Sequence, residues 1–330
     1  MSPYKLDLLN HFKALQGALT TLNAEAFLDP RTFILRIRLG ETKRVFYPQF
    51  MKVASGVTQY IPNFAPDANR FIGWCPYVNR RWPLATEKLL FKQFARQNAL
   101  RTPEYSAEPG VEMNDVLVKR NMSSFAAGIR GPFHSSADCV LDTAAGEYFE
   151  RFVRGRIAKI WYWNDRPVCL ELGRMPFVEG NGIATIRQLA RRRLRRRGRN
   201  EPSMGLRPFL EYEGLTLDTV LDKDREQTID FRYGLRFLDP EASDIDLVGA
   251  MISSLEFELR DIGHKLWRGI PEPTRADTLF TVDAIVDNDD RIWVLEMNSN
   301  PFIHPYVYPV MLNGLFAAKK DAVEEAMLQI

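Results

Sequence analysis

Hydrophobic and polar positions along this chain fall into short alternating runs bounded by polar turns, with stretches of helical period between them. Leu8, Phe12, Leu15, Leu19 and Leu22 recur at helical spacing and predict one or two helices over residues 4–27. TFILRIRL (32–39) and RVFYPQF (44–50) flank Gly40-Glu41-Thr42-Lys43 and predict a hairpin. A loop-rich passage with Pro62, Pro66 and Pro76 leads to Arg81-Trp82-Pro83, where a first boundary falls. Residues 86–100 carry the period of an amphipathic helix, with Thr86 as N-cap and Asn98 and Pro103 as stops. DVLVK (115–119) predicts a strand that runs into a loop of small residues, NMSSFAAGIRGPF. EYFERFV is read as a linker, IAKIWYW (157–163) as a strand, and PVCLEL as its partner across Asn164-Asp165-Arg166. A long helix is expected over 243–268 and a terminal one over 315–329. Strands interspersed with helices place the chain among the α/β or α+β folds, with no internal repeat.

The stretch TVDAIVDNDDRIWVLEMNSNPFIHP, residues 281–305, is the most informative. Two apolar runs enclose the polar turn Asn288-Asp289-Asp290, and the second ends in Glu296-Met297-Asn298. Side chains two apart on a strand share a face, so Glu296 and Asn298 project together, and in a hairpin Asp283 reaches the same side. Two carboxylates and an amide are oxygen donors suited to a hard divalent cation such as Mg2+. An ordinary strand end with polar residues at its mouth reads equally well from these residues alone. Met297, Trp293 and Trp161 sit at strand spacing and are expected in the core.

Length and composition narrow the classes. A chain of 330 residues can bury more than one core. Hydrophobic residues make up 45% and charged ones 26%, as in ordinary globular proteins, and the net charge of +2 gives no global attraction to nucleic acid or membrane. Cys75, Cys139 and Cys169 lie far apart without CxxC spacing, which argues against a disulfide framework or structural zinc and for a reducing compartment. The histidines show no metal-ligand spacing. No leader-like segment and no run approaching the roughly 18 apolar residues of a membrane span is present, so a cytoplasmic protein is expected.

Several features recur in a fixed order: Lys88 opening a helix, Lys119 ending a strand before Ser123-Ser124-Phe125-Ala126-Ala127-Gly128, Glu150-Arg151-Phe152-Val153-Arg154-Gly155 running into a strand, and Asp283, Glu296 and Asn298 in a D-x12-E-x-N-x-N-P pattern. In that order, over about residues 84–314, the chain resembles the ATP-grasp superfamily of carboxylate–amine ligases. Gly180-Asn181-Gly182-Ile183-Ala184-Thr185-Ile186 is similar to a stretch of the cyanophycin-synthetase-like and amino-acid ligase branches, although a turn capping a helix accounts for its glycines too. The resemblance implies an α+β architecture: a small N-terminal α/β domain (1–83), a lid subdomain (84–155) and a large subdomain (156–330) clasping ATP. It also implies roles for single residues. Lys88 and Lys119 would meet the nucleotide phosphates, although either reads alone as a solvated lysine. The backbone of Ser123, Ser124 and Gly128 would cover the phosphates. Phe152 and Val153 would offer main-chain groups to adenine with Glu150 beside them, and Lys159 stands where the family has a basic residue. Asp283, Glu296 and Asn298 would hold Mg2+. The chain departs from the family at Ile157, where an acidic residue for the ribose hydroxyls is usual.

The implied reaction phosphorylates a carboxylate with ATP and lets an amine attack the acyl phosphate, so positioning and charge neutralisation dominate. Arg232 and Arg275 are the candidate arginines for the transferring group. RQLARRRLRRRGR (187–199) carries eight arginines, and Arg187, Arg191 and Arg195 would share a helix face. It reads as a solvated face, as a cradle for an acidic substrate, or as a nucleic-acid contact. Tyr306, Tyr308 and His304 follow the metal pattern, where substrate contact and loop packing are both open. The leading expectation is a ligase for an amino acid or peptide, with homodimers common in the family. Its rivals are a catalytically weakened scaffold binding a polyanion through the arginines, and a kinase that stops at phosphorylation.

Overall fold

The computed structural model describes residues 3–54, 57–68, 70–123, 128–195, 206–231, 245–247 and 252–317. Helix α1 (Pro3–Leu22) lies on an antiparallel sheet of β1 (Glu25–Leu28), β2 (Leu35–Leu39), β3 (Thr42–Ala54), β4 (Val57–Ile61) and β5 (Arg70–Cys75). The long β3 pairs with β2, β4 and β5 along successive parts of its length. The expected hairpin is present, with Leu39 opposite Thr42 and Gly40-Glu41 as its turn.

Helix α2 (Lys88–Gln97) begins after a single 3-10 turn at Pro83–Ala85. Glu87, not Thr86, occupies the N-cap position, because the Thr86 hydroxyl folds back to donate to the Pro83 carbonyl at 3.1 Å. Strands β6 (Tyr105–Ser106), β7 (Asn114–Arg120), β8 (Arg130–Ser135) and β9 (Glu147–Arg151) form a second antiparallel sheet in the order β6-β9-β7-β8. Residues 147–151, expected as a linker, are therefore a strand. Four consecutive side chains from Glu147 to Glu150 are buried, so the alternation that would have marked a one-faced strand is absent.

The third sheet carries most of the site. β10 (Arg156–Trp163) and β11 (Arg166–Gly173) form a hairpin closed by Asn164-Asp165. β12 (Phe177–Glu179), α3 (Ile186–Arg195), α4 (Leu206–Tyr212) and β13 (Glu226–Thr228) make a small excursion with its own core around Ile186, Leu210 and Ile229. Then follow β14 (Ile245–Leu247), α5 (Ile252–Arg268), α6 (Glu272–Arg275), β15 (Leu279–Val286), β16 (Ile292–Asn298) and α7 (Val307–Ala317). The sheet order is β14-β11-β10-β15-β16, all antiparallel. The helix expected over 243–268 is shorter, because Ile245 and Leu247 recur at period two and their segment pairs with β11. The terminal helix starts at Val307, earlier than expected, and the rest of 315–329 beyond residue 317 lies outside the described residues.

Strand alternation divides the third sheet cleanly. Ala158, Ile160, Tyr162, Leu170, Leu172, Phe280, Val282, Val294 and Met297 face α5 and α2, where Leu259, Leu266, Phe91 and Ala95 cover them. The opposite face carries Trp161, Trp163, Cys169 and Leu279, which share a core with Leu15 of α1, Trp74 of β5 and Met311 of α7. Gly73 permits that closure: its φ is 128°, and a Cβ there would stand 2.8 Å from Ile303 and 2.9 Å from the Tyr308 hydroxyl. The Tyr308 hydroxyl in turn meets His11 Nδ1 at 2.8 Å and accepts from the Trp74 N–H at 3.2 Å, tying α1, β5 and α7 together. Half of this face is core; the other half lines a cleft. Among the described residues no helix is long and apolar enough to cross a membrane.

Candidate functional site

The cleft has a volume of about 820 Å³ and three walls: the second sheet with the start of α2, the third sheet, and the first sheet with α1. Its size is that of a small-molecule site.

On the third sheet, register fixes the arrangement. Glu171 of β11 stands opposite Lys159 of β10, Lys159 opposite Asp283 of β15, and Asp283 opposite Glu296 of β16. Four charged side chains thus lie in one row across four strands, on the face that is not covered by α5. A register shift after Asp283 puts Glu296, rather than Leu295, opposite it. Lys159 Nζ donates to Asp283 Oδ1 at 2.6 Å, and Asn298 Nδ2 to Asp283 Oδ2 at 3.0 Å. With its Nδ2 turned to Asp283, Asn298 keeps its amide oxygen's lone pairs for a cation or a hydrogen-bond donor. The hairpin expected from sequence therefore brings Asp283, Glu296 and Asn298 together at the cleft.

Lys88, at the first turn of α2, bridges the walls: its Nζ lies 2.9 Å from Glu296 Oε2 and donates to the Ser123 carbonyl at 2.5 Å. Ser123 lines the cleft. Gly128 follows with φ 76°, and Ser124 lies outside the described residues. Lys119, near the end of β7, points to the Glu150 carboxylate, Nζ to Oε1 2.5 Å. The other Glu150 oxygen holds Lys92 Nζ at 2.7 Å, and both of these side chains are almost completely buried. Burial alone would raise the Glu150 pKa, but Lys119 and Lys92 outweigh it and hold the carboxyl down at about 2. Burial pushes Lys92 down to about 8 against the pull of Glu150. Glu150 is thus held between two lysines at the wall of the cleft. Lys92 went unread in the sequence, where it looks like a surface lysine; its phase on α2, between Phe91 and Ala95, was the available signal.

Beside this triad, Phe152 and Val153 line the cleft. The Phe152 N–H donates to the Asp115 carbonyl at 2.5 Å, so of its main-chain groups the N–H is already engaged. Its ring packs with Phe209, Tyr212 and Phe231. The Val153 N–H has no acceptor among the described residues and is the donor that remains. Ile157 lines the cleft and is buried, while Arg156 pairs with Asp290 at 2.7 Å. No acidic group stands at that position.

The two candidate arginines fare differently. Arg275 lies away from the cleft: its Nε donates to the Ile270 carbonyl at 2.9 Å and a terminal nitrogen to Arg268 at 3.1 Å, and it stacks over Trp267. It holds the end of α5 and lines no part of the cleft. Arg232 lies outside the described residues. The arginines that line the cleft among the described residues are Arg70, Arg81 and Arg151, and Arg70 sits 4.6 Å over the Phe302 ring. Of the arginine-rich segment, Arg187 pairs with Asp218 at 3.1 Å, and Arg193 donates to the Phe177 carbonyl at 2.7 Å; the side chains of 194–199 lie outside the described residues. The glycine stretch 180–182 forms a turn ahead of α3, with Asn181 Oδ1 accepting from Ile183 and Ala184, and lines no part of the cleft. Tyr308 is core, Tyr306 is exposed, and Trp293 is half-buried and donates to Asp287 Oδ2 at 2.8 Å.

At the N-terminal end of the cleft, Tyr60 and Arg70 from the first sheet face Trp161, Glu171 and His304. Burial and the Asp283 charge raise the Tyr60 hydroxyl to about 12, and burial lowers His304 to about 4. Both are neutral near pH 7.

No protein-family model and no curated protein matches the chain. Among solved structures it is similar to a bifunctional glutathione synthetase from Pasteurella multocida, at 15% identity over 93% of this chain and 43% of that one, TM-score 0.43. It is similar to a D-alanine–D-alanine ligase from Bacillus anthracis, at 11% identity over 74% and 69%, TM-score 0.39. A third is a protein from Archaeoglobus fulgidus assigned to the ATP-grasp superfamily, at 10% identity over 70% and 48%, TM-score 0.34. The chain spans less than half the length of the first and the third of these.

Proposed function

We propose that the chain is an ATP-dependent, ADP-forming ligase that activates a carboxylate as an acyl phosphate and joins it to an amine, in the manner of the ATP-grasp enzymes its motifs resemble. The observation that carries this reading is the meeting, in one cleft, of Lys88, Lys119 and Lys159 with the oxygen set Asp283, Glu296 and Asn298. Three lysines suit a polyanionic phosphate chain. Two carboxylates and an amide fall short of a full protein cage, and among the described residues no group of three His, Cys, Asp or Glu is poised to hold a metal. That donor set fits Mg2+, which keeps waters and takes substrate phosphates as ligands. Bound there, Mg2+ would supply charge neutralisation at the β- and γ-phosphates.

The chain's own residues have distinct tasks. Lys119, held by Glu150, and Lys88, held by Ser123 and Glu296, would bind phosphate oxygens from the lid side. Lys159, on Asp283, would approach from the sheet side. The Val153 N–H and the neighbouring carbonyls would take the base, and the carboxylate to be activated would lie beyond the phosphates, toward the first sheet. Closure of the walls keeps water from the acyl phosphate. Two of the arginines of α3 are committed within the protein, Arg187 to Asp218 and Arg193 to the Phe177 carbonyl, which weighs against reading that helix as a polyanion surface.

The test is MgADP binding by calorimetry together with Mg2+-dependent ADP release from ATP, offered amino acids and acidic peptides. We expect ADP release that needs both a carboxylate and an amine, and a loss of at least 100-fold in Glu296→Gln. A wild type that neither binds MgADP nor turns ATP over would sink the reading.

A further inference from the structure

Between the first sheet and α2 the chain passes through Arg80-Arg81-Trp82-Pro83, which precedes residues 84–314 and so lies outside every motif of the family resemblance. The residues on either side of Arg81 are fastened to the segment that carries the oxygen set. The Arg80 N–H donates to Asn300 Oδ1 at 3.1 Å, and Asn300 Nδ2 donates back to the Arg80 carbonyl at 2.7 Å. Trp82 Nε1 donates to Met297 Sδ at 3.5 Å, and its indole is buried in the core beneath the third sheet. Arg81 is thereby held beside residues 297–300, at the end of β16. Trp82 is extended, with φ −147° and ψ 157°, and side chains alternate along extended backbone, so Arg81 turns away from that core. It lines the cleft together with Asn298, Ser299 and Asn300.

The other cations at this end of the cleft are matched. Lys88 pairs with Glu296, Lys159 with Asp283, and Lys119 with Glu150. Arg80 donates to the carbonyls of Thr274 and Ala276, at 2.9 and 2.6 Å, and lies over the Tyr77 ring. Arg151 ends β9, on the wall where Phe152 and Val153 stand, and Arg275 lines no part of the cleft. Arg81 is exposed and makes neither a hydrogen bond nor an ion pair among the described residues. A guanidinium stays charged at any working pH, and this one is held at the oxygen set by its backbone rather than by an acidic partner. That arrangement suits an anion that arrives with the substrates.

Resting on the ligase reading, we propose that Arg81 is a catalytic residue that clasps the γ-phosphoryl group of ATP as it passes to the carboxylate. In this step a carboxylate oxygen forms a bond to the γ-phosphorus, and the bond from that phosphorus to the β–γ bridging oxygen breaks. ADP leaves with the electron pair of the broken bond, and no proton is taken up or released. Both reactants are anions, so their approach needs positive charge at the group in flight. The guanidinium supplies it as a planar fork that meets two oxygens at once, which the compact ammonium of Lys88 or Lys159 does not. The pins at Asn300 and Met297 set the arginine's backbone at a fixed place relative to Glu296 and Asn298.

MgADP binding to the wild type, Arg81→Ala and Arg81→Lys would be measured by calorimetry with and without aluminium fluoride, which stands in for the phosphoryl group in flight. Aluminium fluoride should tighten MgADP binding at least tenfold in the wild type and less than twofold in Arg81→Ala, with Arg81→Lys between them. All three should bind MgADP alone within twofold of one another, which shows that the variants are folded and their nucleotide site is intact. Equal tightening in Arg81→Ala and the wild type overturns the assignment. So does a wild type that binds MgADP but gains nothing from aluminium fluoride. An Arg81→Ala protein that loses as much affinity for MgADP alone as for MgADP with aluminium fluoride overturns it too, and in these three cases the nucleotide reading survives. Absence of MgADP binding to the wild type overturns both.

Discussion

Replacing Glu150 with Gln tests the electrostatics of the lid most directly. In the wild type the carboxylate receives Lys119 and Lys92, and Lys92 also donates to Thr102 Oγ1 at 3.0 Å. Two opposite charges about 4 Å apart interact by about 4 kcal/mol at an effective dielectric of 20. Removing one partner of a buried pair costs about 3–5 kcal/mol, chiefly because the remaining charge is stranded. Lys119 borders the cleft and can rehydrate, so the cost falls on Lys92, whose side chain is 0% exposed. One pair's worth, about 3–5 kcal/mol, is therefore expected. That corresponds to a fall in Tm of roughly 6–20 °C at about 2–4 °C per kcal/mol. The pH dependence carries a sign. A lysine whose folded pKa lies below its unfolded value destabilises while charged, and stability rises with pH as it sheds its proton in the native state. In the wild type this begins near pH 8. Without Glu150 the Lys92 pKa falls further, so the variant regains stability at lower pH and its deficit should be smaller at pH 9 than at pH 6. The wild type in turn holds a carboxylate depressed from 4.5 to about 2, whose contribution is full above pH 4.5 and is lost as pH falls toward 2; the variant lacks that acid slope. Urea unfolding of both proteins across pH 3–9 measures all of this. A deficit under about 1 kcal/mol at pH 6, or one independent of pH, would refute the stranded-charge account, since that account needs several kcal/mol and a titrating lysine.

Gly155, just ahead of β10, lies so close to β15 that a Cβ would stand 2.3 Å from the Val286 carbonyl oxygen and 2.7 Å from Ile285 Cγ2. Gly155→Ala should cost at least about 1–3 kcal/mol in thermal unfolding and weaken MgADP binding, because Phe152 and Val153 lie just ahead of it; wild-type stability would show that the strands can part without penalty. Arg275→Ala should lower stability by about 1.5–3 kcal/mol through the lost carbonyl contacts, with kcat and KM unchanged. A tenfold fall in kcat at full stability would restore the catalytic role that the sequence suggested for it.

What was legible in the sequence was local. The D-x12-E-x-N pattern works because a hairpin makes its pairing register a near-neighbour property, so Asp283, Glu296 and Asn298 could be placed on one face from alternation alone. Lys88 was legible as the first residue of a helix. Lys92 was not, although it could have been: at 3.6 residues per turn, Lys88, Phe91, Lys92 and Ala95 fall within about 100° of one another on α2. A lysine in the apolar arc of an amphipathic helix predicts a buried partner, and Glu150 is that partner. Arg275 was ambiguous because a basic residue near the metal pattern and one closing a helix end are the same in sequence. Only the carbonyls of Arg268 and Ile270, within seven residues of it, decide between them.

The remaining wall of the cleft depends on pairings no local pattern encodes. Lys159 and Asp283 are 124 residues apart and meet only because β10 and β15 are neighbours in the third sheet. Their register is fixed by burial on the other face, where Ala158, Ile160, Val282 and Ala284 pack beneath α5 and α2. A slip of one residue would turn Lys159 into that apolar layer and bring Ala158 to the cleft. The same argument places Glu171, since Leu170 and Leu172 on either side of it face the helices. The hydrophobic core thus sets the spacing of the charged row, and a change such as Ala284→Leu, far from any polar group, should disturb the site by shifting β15 against β10. In that variant MgADP affinity and stability should fall together, whereas loss of stability alone would mean that the row tolerates the shift.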